Sequence, residues 1–268
     1  MYIITDYYNN VGHRRMIEHK ETNNKYNTEM ELRQKGEIFR LFNKIAYRYD
    51  ITNRLLSLGR DAYWRRELVR QVKIEKEHDF FLLDLATGTG EVMKTFRDVF
   101  PDYGYLLGID LSEGMIRAGM GKFNNEKQTC LFAVMDVMCQ GIRSEKINVV
   151  TMAFGIRNVS KISSALREIY RVLKPGGQVL ILEFGLPQKW LKRKIYLFYL
   201  RYILPYIGGV WTGCPSAYRY LSETICKFPS HEQFSLLLEE VGFTNTGWTE
   251  FNWGAVLLYT ATKPKESR

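Results

Sequence analysis

The sequence has few of the residues that stabilise secreted or metal-bound domains, and it has no long apolar run. Its 268 residues include only four cysteines and four histidines, and no two cysteines form a C-x-x-C pair. This spacing argues against a disulfide framework and against a structural zinc site. No stretch reaches the ~18 uninterrupted apolar residues of a spanning helix, and the first thirty residues lack the apolar core of a signal peptide. We therefore expect a cytoplasmic protein without a metal site.

Acidic residues are missing from one long stretch. None lies between Glu183 and Glu223, although the chain as a whole has 29 acidic against 38 basic residues. The same stretch carries many Trp and Tyr side chains and six cations, which are Lys189, Lys192, Arg193, Lys194, Arg201 and Arg219. A basic, aromatic segment can bind an anionic membrane surface or a nucleic acid. It can also be an aromatic lid that packs on the domain and leaves its lysines in solvent.

Short apolar runs alternate with helix-like stretches over most of the chain. The runs are FFLLDLA, YLLGIDL, CLFAVMD, INVVTMAF, QVLILEF and AVLLYTATK. Such alternation indicates a parallel sheet that is covered on both faces. Helical periodicity over Ile38 to Asp50 and Arg60 to Val72 predicts an N-terminal helical cap, and HEQFSLLLEEVGF predicts a late helix with Ser230 as its N-cap.

These patterns predict an α/β fold, a doubly wound and mostly parallel sheet. The domain is expected over residues 31–268, with the basic aromatic segment inserted at about 186–225. Residues 1–30 have no periodicity and are predicted to be a disordered extension, with Met30 as a candidate start of the native chain.

The stretch LLDLATGTGE predicts a nucleotide-type ligand site at the end of the first strand. Gly88 and Gly90 allow the backbone to approach a ligand closely at the carboxyl end of a strand, where doubly wound sheets bind nucleotides. A dinucleotide fingerprint needs a third glycine three residues after Gly90, and that position is Met93. NAD binding, and with it an oxidoreductase, is therefore the weaker interpretation.

Two further strands end in an acid. Asp110 follows YLLGI, and a carboxylate there can accept both hydrogen bonds of a ribose diol. Asp136 ends the next predicted strand and suits an adenine edge or amino group. Either acid can instead cap the turn or helix that follows it. Together with the glycine turn, the two acids favour an adenosine ligand without a diphosphate.

At this point the sequence resembles the class I S-adenosylmethionine methyltransferases, and specifically the ubiquinone/menaquinone biosynthesis C-methyltransferases. The resemblance runs from about Phe39 to Lys263. Its most specific parts are the opening around AYRYD and the motif FGIRNV, and it continues in GIDLSEGM, IYRVLKPGGQVLILEF, AYRYLSETICKFPSHEQF and LLEEVGF. It implies a Rossmann-like sheet of seven strands. Two departures are that VMCQGI lacks the usual Leu-Pro-Phe run and that Ala153 replaces a serine of some members.

The resemblance implies a methyl-donor site and an acceptor. S-adenosyl-L-methionine is expected against Thr89 in the glycine loop, with Asp110 on the ribose and Asp136 with Val137 beside the adenine. The expected acceptor is a polyprenyl quinol, either demethylmenaquinol or 2-methoxy-6-polyprenyl-1,4-benzoquinol. An alternative is another lipid-like small molecule.

Ring methylation requires an electron-rich carbon, so the protein must favour the phenolate of the quinol. Arg157 of FGIRNV does not readily lose its proton and is expected to stabilise that phenolate. Tyr47 and Tyr49 are expected to close over the cofactor and contact the acceptor. The alternatives are that one tyrosine packs in the core and that Arg157 pairs with a carboxylate such as Asp50. His231, at a helix start, is chemically able to relay a proton, but a polar histidine there is expected simply to be exposed.

A polyprenyl acceptor resides in the bilayer, so the enzyme must reach a membrane surface. We expect peripheral association with the inner membrane face through residues 188–210, where Pro205 and two glycines argue against a straight spanning helix. Nucleic-acid binding is not expected, because it would leave the glycine loop and Asp110 unexplained. A homo-oligomer is compatible with the sequence.

Overall fold

The sheet is built from short strands that each carry apolar side chains. The computed structural model describes residues 54, 57, 59–74, 80–102, 104–123, 130–206 and 215–265. All of them belong to one compact unit. Within these residues, seven strands form one sheet, namely β1 (Phe81–Leu85), β2 (Tyr105–Asp110), β3 (Cys130–Val134), β4 (Ile147–Ala153), β5 (Leu173–Phe184), β6 (Thr244–Phe251) and β7 (Val256–Thr262).

The strand order is β3-β2-β1-β4-β5-β7-β6. Strands β1 to β5 pair in parallel, whereas β7 runs antiparallel to both β5 and β6. The predicted Rossmann-like, mostly parallel sheet is therefore confirmed. The order reverses between β1 and β4, which is where open α/β sheets form a ligand crevice beyond the carboxyl ends of their strands.

Helices cover the two faces of the sheet. They are α1 (Arg60–Arg70), α2 (Glu91–Val99), α3 (Glu113–Met120), α4 (Ile162–Val172), α5 (Trp190–Phe198), α6 (Pro215–Lys227) and α7 (Glu232–Val241). Successive residues of a strand point to opposite faces, so Leu82 packs with α1 and α2 while Leu83 packs with α4 and α7. Helix α1 matches the second predicted cap helix. The first, over residues 38–50, lies outside the described residues.

The predicted insert follows β5. Helix α5 continues into a π-helical turn, Tyr199–Ile203, and α6 follows after a segment outside the described residues. Leu200 and Leu204 pack against Tyr218 and Ile225 of α6 in a small cluster of their own. Helix α5 itself buries no residue completely. Among the described residues, no helix combines the length and the apolar character needed to cross a bilayer.

The start of α7 differs from the prediction. His231, not Ser230, is the N-cap residue, and no side chain caps the helix there. The expectation that His231 is exposed is also wrong, because it is only 5% exposed. Its backbone has φ +62° and is held by a hydrogen bond from its N–H to the hydroxyl of Tyr259 (2.6 Å).

Candidate active site

The glycine loop leaves β1 at the point where the strand order reverses. Ala86, Gly88 and Gly90 all have positive φ, at 49°, 55° and 79°. A Cβ atom at Gly90 would lie 2.9 Å from the Phe123 ring, whereas one at Gly88 would meet nothing within 4 Å. Gly90 is thus required by packing as well as by backbone conformation, while the loop is open at Gly88.

The buried carboxyl group of Asp84, in β1, holds the glycine loop through Thr87, and the sequence motifs did not indicate this role. Asp84 is buried in β1 and accepts hydrogen bonds from the hydroxyls of Thr87 (2.6 Å) and Thr151 (2.8 Å). Burial raises the pKa of Asp84 from 3.8 to about 7, although both hydroxyls lower it. The signal for this residue was an acid inside the apolar run LLDLA.

Met93 occupies the space below the loop where a dinucleotide fingerprint has its third glycine. It is fully buried, and its Sδ accepts a hydrogen bond from Thr87 (3.5 Å). A Cβ atom at Gly108 of β2 would lie 2.6 Å from that sulfur. The Met93 thioether therefore fills the space between the glycine loop and β2. This agrees with the interpretation that NAD is the less favoured ligand.

Asp110 lies at the end of β2 beside the glycine loop. Its Oδ2 accepts a hydrogen bond from the Gly88 N–H (2.9 Å) and its Oδ1 accepts one from the Ser112 N–H (2.8 Å). Burial raises the pKa of Asp110, against the lowering effect of these hydrogen bonds. Ser112 is the residue that caps α3, through its hydroxyl and the Met115 N–H. The Leu111 N–H also contributes to this group of backbone donors, and because a carboxylate has about four lone-pair sites, Asp110 keeps acceptor capacity for a ligand.

Asp136 and Val137 lie in a turn beyond β3, close to Asp110. Strand β3 ends at Val134, two residues earlier than predicted, and the Met135 N–H donates to the Asp110 carbonyl oxygen (3.1 Å). The Oδ1 of Asp136 accepts a hydrogen bond from the Met138 N–H (2.9 Å), so this acid does cap its own turn. Val137 is buried.

Thr89 is buried below the loop and points toward α3. Its hydroxyl accepts a hydrogen bond from Lys122 Nζ (3.0 Å), and the same ammonium pairs with Glu91 (2.6 Å). The hydroxyl therefore helps to hold the loop against the turn that follows α3.

Arg157 follows β4 in a short 3₁₀ turn, Ile156–Asn158, and its side chain is only 6% exposed. Its Nη1 donates hydrogen bonds to Glu183 Oε1 (2.6 Å) and to the Phe154 carbonyl oxygen (2.6 Å). Glu183 is the second-last residue of β5, is fully buried and also accepts a hydrogen bond from the Arg157 backbone N–H (3.2 Å). The structure therefore shows the alternative, in which Arg157 pairs with a carboxylate, and the partner is Glu183. Asp50 lies outside the described residues.

One edge of the Arg157 guanidinium has no hydrogen-bond partner among the described residues. Nε is buried and unpaired, and both bonds of the group to protein acceptors use Nη1. The guanidinium lies 5.4 Å from the Phe184 ring centroid. The Nε and Nη2 groups on that edge form the planar fork that binds oxygen anions with two parallel hydrogen bonds.

The turn that carries Arg157 touches the glycine loop. A Cβ atom at Gly155 would lie 2.6 Å from the Cβ atom of Ala86. The loop on β1 and the turn on β4 therefore meet at the crevice of the sheet, with Asp110 on one side and Arg157 on the other. Tyr47 and Tyr49, the other expected acceptor contacts, lie outside the described residues.

A model of the ubiE/COQ5 methyltransferase family matches residues 29–263 of this chain. The chain belongs to this family. Two curated members illustrate the relationship. The ubiquinone/menaquinone biosynthesis C-methyltransferase UbiE of Geobacter sulfurreducens is 39% identical over 88% of this chain and 92% of its own length. The demethylmenaquinone methyltransferase of Bacteroides fragilis is 34% identical over 85% of this chain and 92% of its own length.

Solved structures of more distant methyltransferases share the fold of this ubiE/COQ5 family member. A SAM-dependent methyltransferase from Thermotoga maritima superposes with a TM-score of 0.57 at 16% identity, over 84% of this chain and 99% of its own. Phosphoethanolamine N-methyltransferase 2 of Haemonchus contortus, in complex with S-adenosyl-L-methionine, gives a TM-score of 0.55 at 17% identity, over 75% of this chain and 52% of its own.

Proposed function

We propose that this protein transfers a methyl group from S-adenosyl-L-methionine to a ring carbon of a polyprenyl quinol. The acceptor is demethylmenaquinol, 2-methoxy-6-polyprenyl-1,4-benzoquinol or both. Membership of the ubiE/COQ5 methyltransferase family supports the reaction class. The observation that carries the choice of a phenolic acceptor is the buried Arg157, whose Nε has no hydrogen-bond partner among the described residues and whose turn, at Gly155, contacts Ala86 of the glycine loop.

The donor site proposed here is the crevice beyond β1 and β2. Asp110 is already oriented by backbone N–H groups, among them those of Gly88 and Ser112, and is proposed to accept a hydrogen bond from the ribose with its remaining acceptor capacity. The open face at Gly88 admits a ligand next to the loop backbone, and Asp136 with Val137 is proposed to lie along the adenine. When bound there, S-adenosyl-L-methionine would supply an electrophilic methyl group: its S–CH3 bond would break as the bond to the ring carbon forms, S-adenosylhomocysteine would leave, and the ring carbon would lose its proton to water.

Arg157 is proposed to stabilise the phenolate form of the acceptor. Glu183 holds one side of the guanidinium, so the fork on its other side is oriented before the acceptor binds. A preoriented charge in a buried site stabilises a developing anion more than the same charge in water. Tyr47 and Tyr49 are proposed to contact the acceptor on the ground of the sequence resemblance alone.

The enzyme is also proposed to bind the cytoplasmic face of the inner membrane through the outer face of α5. This outer face consists of exposed apolar side chains among cations. Trp190 is 67% exposed and Phe198 58% exposed. Lys194 lies 4.9 Å from the Trp190 ring, and Lys192 lies 5.0 Å from the ring of Trp253, which is 68% exposed. Aromatic side chains interleaved with lysines suit an anionic bilayer surface.

The reaction is tested by transfer of label from methyl-labelled S-adenosyl-L-methionine to reduced demethylmenaquinone in detergent. Labelled menaquinone is expected from the wild type. Asp110→Ala is expected to lose donor binding, whereas Arg157→Ala is expected to bind the donor normally and to lose transfer. The control is Arg117→Ala, which removes an exposed arginine from α3 and is expected to leave transfer unchanged. Full activity of Arg157→Ala contradicts the proposed role of Arg157.

The alternative acceptor, another lipid-like small molecule, is tested in a deletion strain. Accumulation of a demethylated quinone supports the main proposal, and the quinone that accumulates identifies the acceptor. An unchanged quinone pool favours the alternative.

Membrane binding is tested by co-sedimentation with vesicles that contain anionic lipid. A lysine or arginine near such a surface contributes about 1 kcal/mol, so changing Lys192, Arg193 and Lys194 to alanine should weaken binding about 100-fold. The control variant changes Lys94, Lys146 and Arg167 to alanine; these three residues are exposed on other parts of the fold. Equal vesicle binding by the two triple variants refutes the proposed surface.

A further inference from the structure

The inserted helices bring tyrosine hydroxyls to the end of the sheet where Arg157 lies. Tyr220 of α6 donates a hydrogen bond to the side-chain oxygen of Asn158, the residue after Arg157 (3.1 Å). Tyr196 of α5 packs in the cluster that also contains Phe184, and the Phe184 ring lies beside the Arg157 guanidinium. Part of the insert therefore packs against the turn and the ring that adjoin Arg157.

The two tyrosines differ in how their hydroxyls are used. The hydroxyl of Tyr220 is committed to Asn158. The hydroxyl of Tyr196 makes no hydrogen bond to any part of the chain that the structure describes. Geometry links Tyr196 to Arg157 through Phe184, which packs on the same cluster as Tyr196 and has its ring centroid 5.4 Å from the guanidinium. Burial raises the pKa of Tyr196, and among its charged or polar neighbours Arg157 lowers it whereas Tyr199, Cys226 and Glu183 raise it. A phenol with a raised pKa keeps its proton at neutral pH and is available as a donor.

We propose that Tyr196 is a further acceptor-binding residue, whose hydroxyl donates a hydrogen bond to the same ring oxygen that the Arg157 fork stabilises. This inference rests on the proposed function. The two donors together form an anion site for the phenolate, with Glu183 holding Arg157 and the α5 backbone holding Tyr196. Tyr196 takes no proton from the acceptor in this arrangement, so its role is to lower the acceptor pKa in the complex.

The test compares Tyr196→Phe with the wild type in the labelled-methyl assay over a range of pH. A hydrogen bond to an ionised group is worth about a 10- to 100-fold change in an equilibrium. The variant should therefore lose about 10- to 100-fold in kcat at neutral pH. The acidic limb of its pH–rate profile should move upward by about one to two pH units, because the phenolate is less stabilised. Affinity for S-adenosyl-L-methionine, measured by calorimetry, should not change.

The matched control is Tyr105→Phe, which makes the same chemical change at the start of β2, where the ring is 44% exposed and stacks on Phe81. It should keep the wild-type rate and pH profile. If Tyr196→Phe keeps them too, or if it loses donor affinity together with activity, the inference is overturned. Failure of the proposed function is distinct, because the wild type itself then transfers no label to a quinol.

A second variant covers the case in which Tyr196→Phe does not fold. Site-specific incorporation of 3-fluorotyrosine at position 196 keeps the ring and the hydroxyl but makes the phenol more acidic and a stronger donor. The acidic limb of the pH–rate profile should then move to lower pH. An unmoved limb in a folded, active protein overturns the inference.

Discussion

Replacing Asp84 by asparagine should change how the stability of this protein depends on pH. The Asp84 carboxyl is fully buried under the glycine loop, and its pKa rises from 3.8 in the unfolded chain to about 7 in the folded protein. Between these values the folded protein keeps a proton that the unfolded chain has lost. Stability from this group is therefore fully present below about pH 4 and is lost as the pH rises toward 7.

The size of the effect follows from the shift. One pKa unit corresponds to about 1.4 kcal/mol, so a shift of about three units amounts to about 4 kcal/mol in the free energy of unfolding. An asparagine side chain does not titrate. The difference in stability between Asp84→Asn and the wild type should thus move in favour of the variant by about 4 kcal/mol between pH 4 and pH 8.

Urea unfolding at pH 4, 6 and 8, followed by circular dichroism, measures this difference, because all other titrating groups are common to both proteins. Asp102→Asn is the control, since Asp102 is exposed. A stability difference between Asp84→Asn and the wild type that stays constant within 1 kcal/mol over this pH range would show that burial does not hold the proton on Asp84.

Three further outcomes are expected. Glu183→Gln leaves the buried Arg157 without its ion pair. This should lower the free energy of unfolding by about 3–5 kcal/mol and should slow methyl transfer. A variant as stable as the wild type in urea would contradict this. Gly90→Ala forces a Cβ atom into a backbone with φ 79° and into the Phe123 ring, so it should lower the melting temperature and weaken donor binding, as seen by calorimetry. Burial lowers the pKa of His231, whereas the nearby Glu250 raises it. The stability that neutral His231 contributes is therefore lost as the pH falls below about 6.5. Replacing Glu250 by glutamine should lower the NMR titration midpoint of His231 further.

Much of the sheet could be predicted because six of its strands carry continuous apolar runs. Strand β6 could not be predicted that way, since most of its residues are exposed and it pairs on one side only, with β7. Its existence depends on the pairing partner, which a local pattern does not reveal. The end of β3 was placed too late for a similar reason, because the backbone turns at Met135 to bond Asp110.

The candidate site was predictable where function depends on a loop sequence and less so where it depends on long-range contacts. The glycine loop and Asp110 follow from their spacing, and the structure brings them together through the Gly88 N–H. The partner of Arg157 lies 26 residues away on another strand. Glu183 did carry a signal, as an acid between the apolar residues of ILEF, but nothing local indicates that it pairs with Arg157.

The position of β7 has a consequence for the synthesis of the protein. Among the described residues Val256–Thr262 follows the other six strands in chain order, yet it lies inside the sheet, between β5 and β6. When β6 has left the ribosome, the strand that joins it to β5 has still to be translated, so β6 cannot join the sheet until Val256–Thr262 has been made. A premature stop codon before this strand should yield a degraded product and not a partly active enzyme.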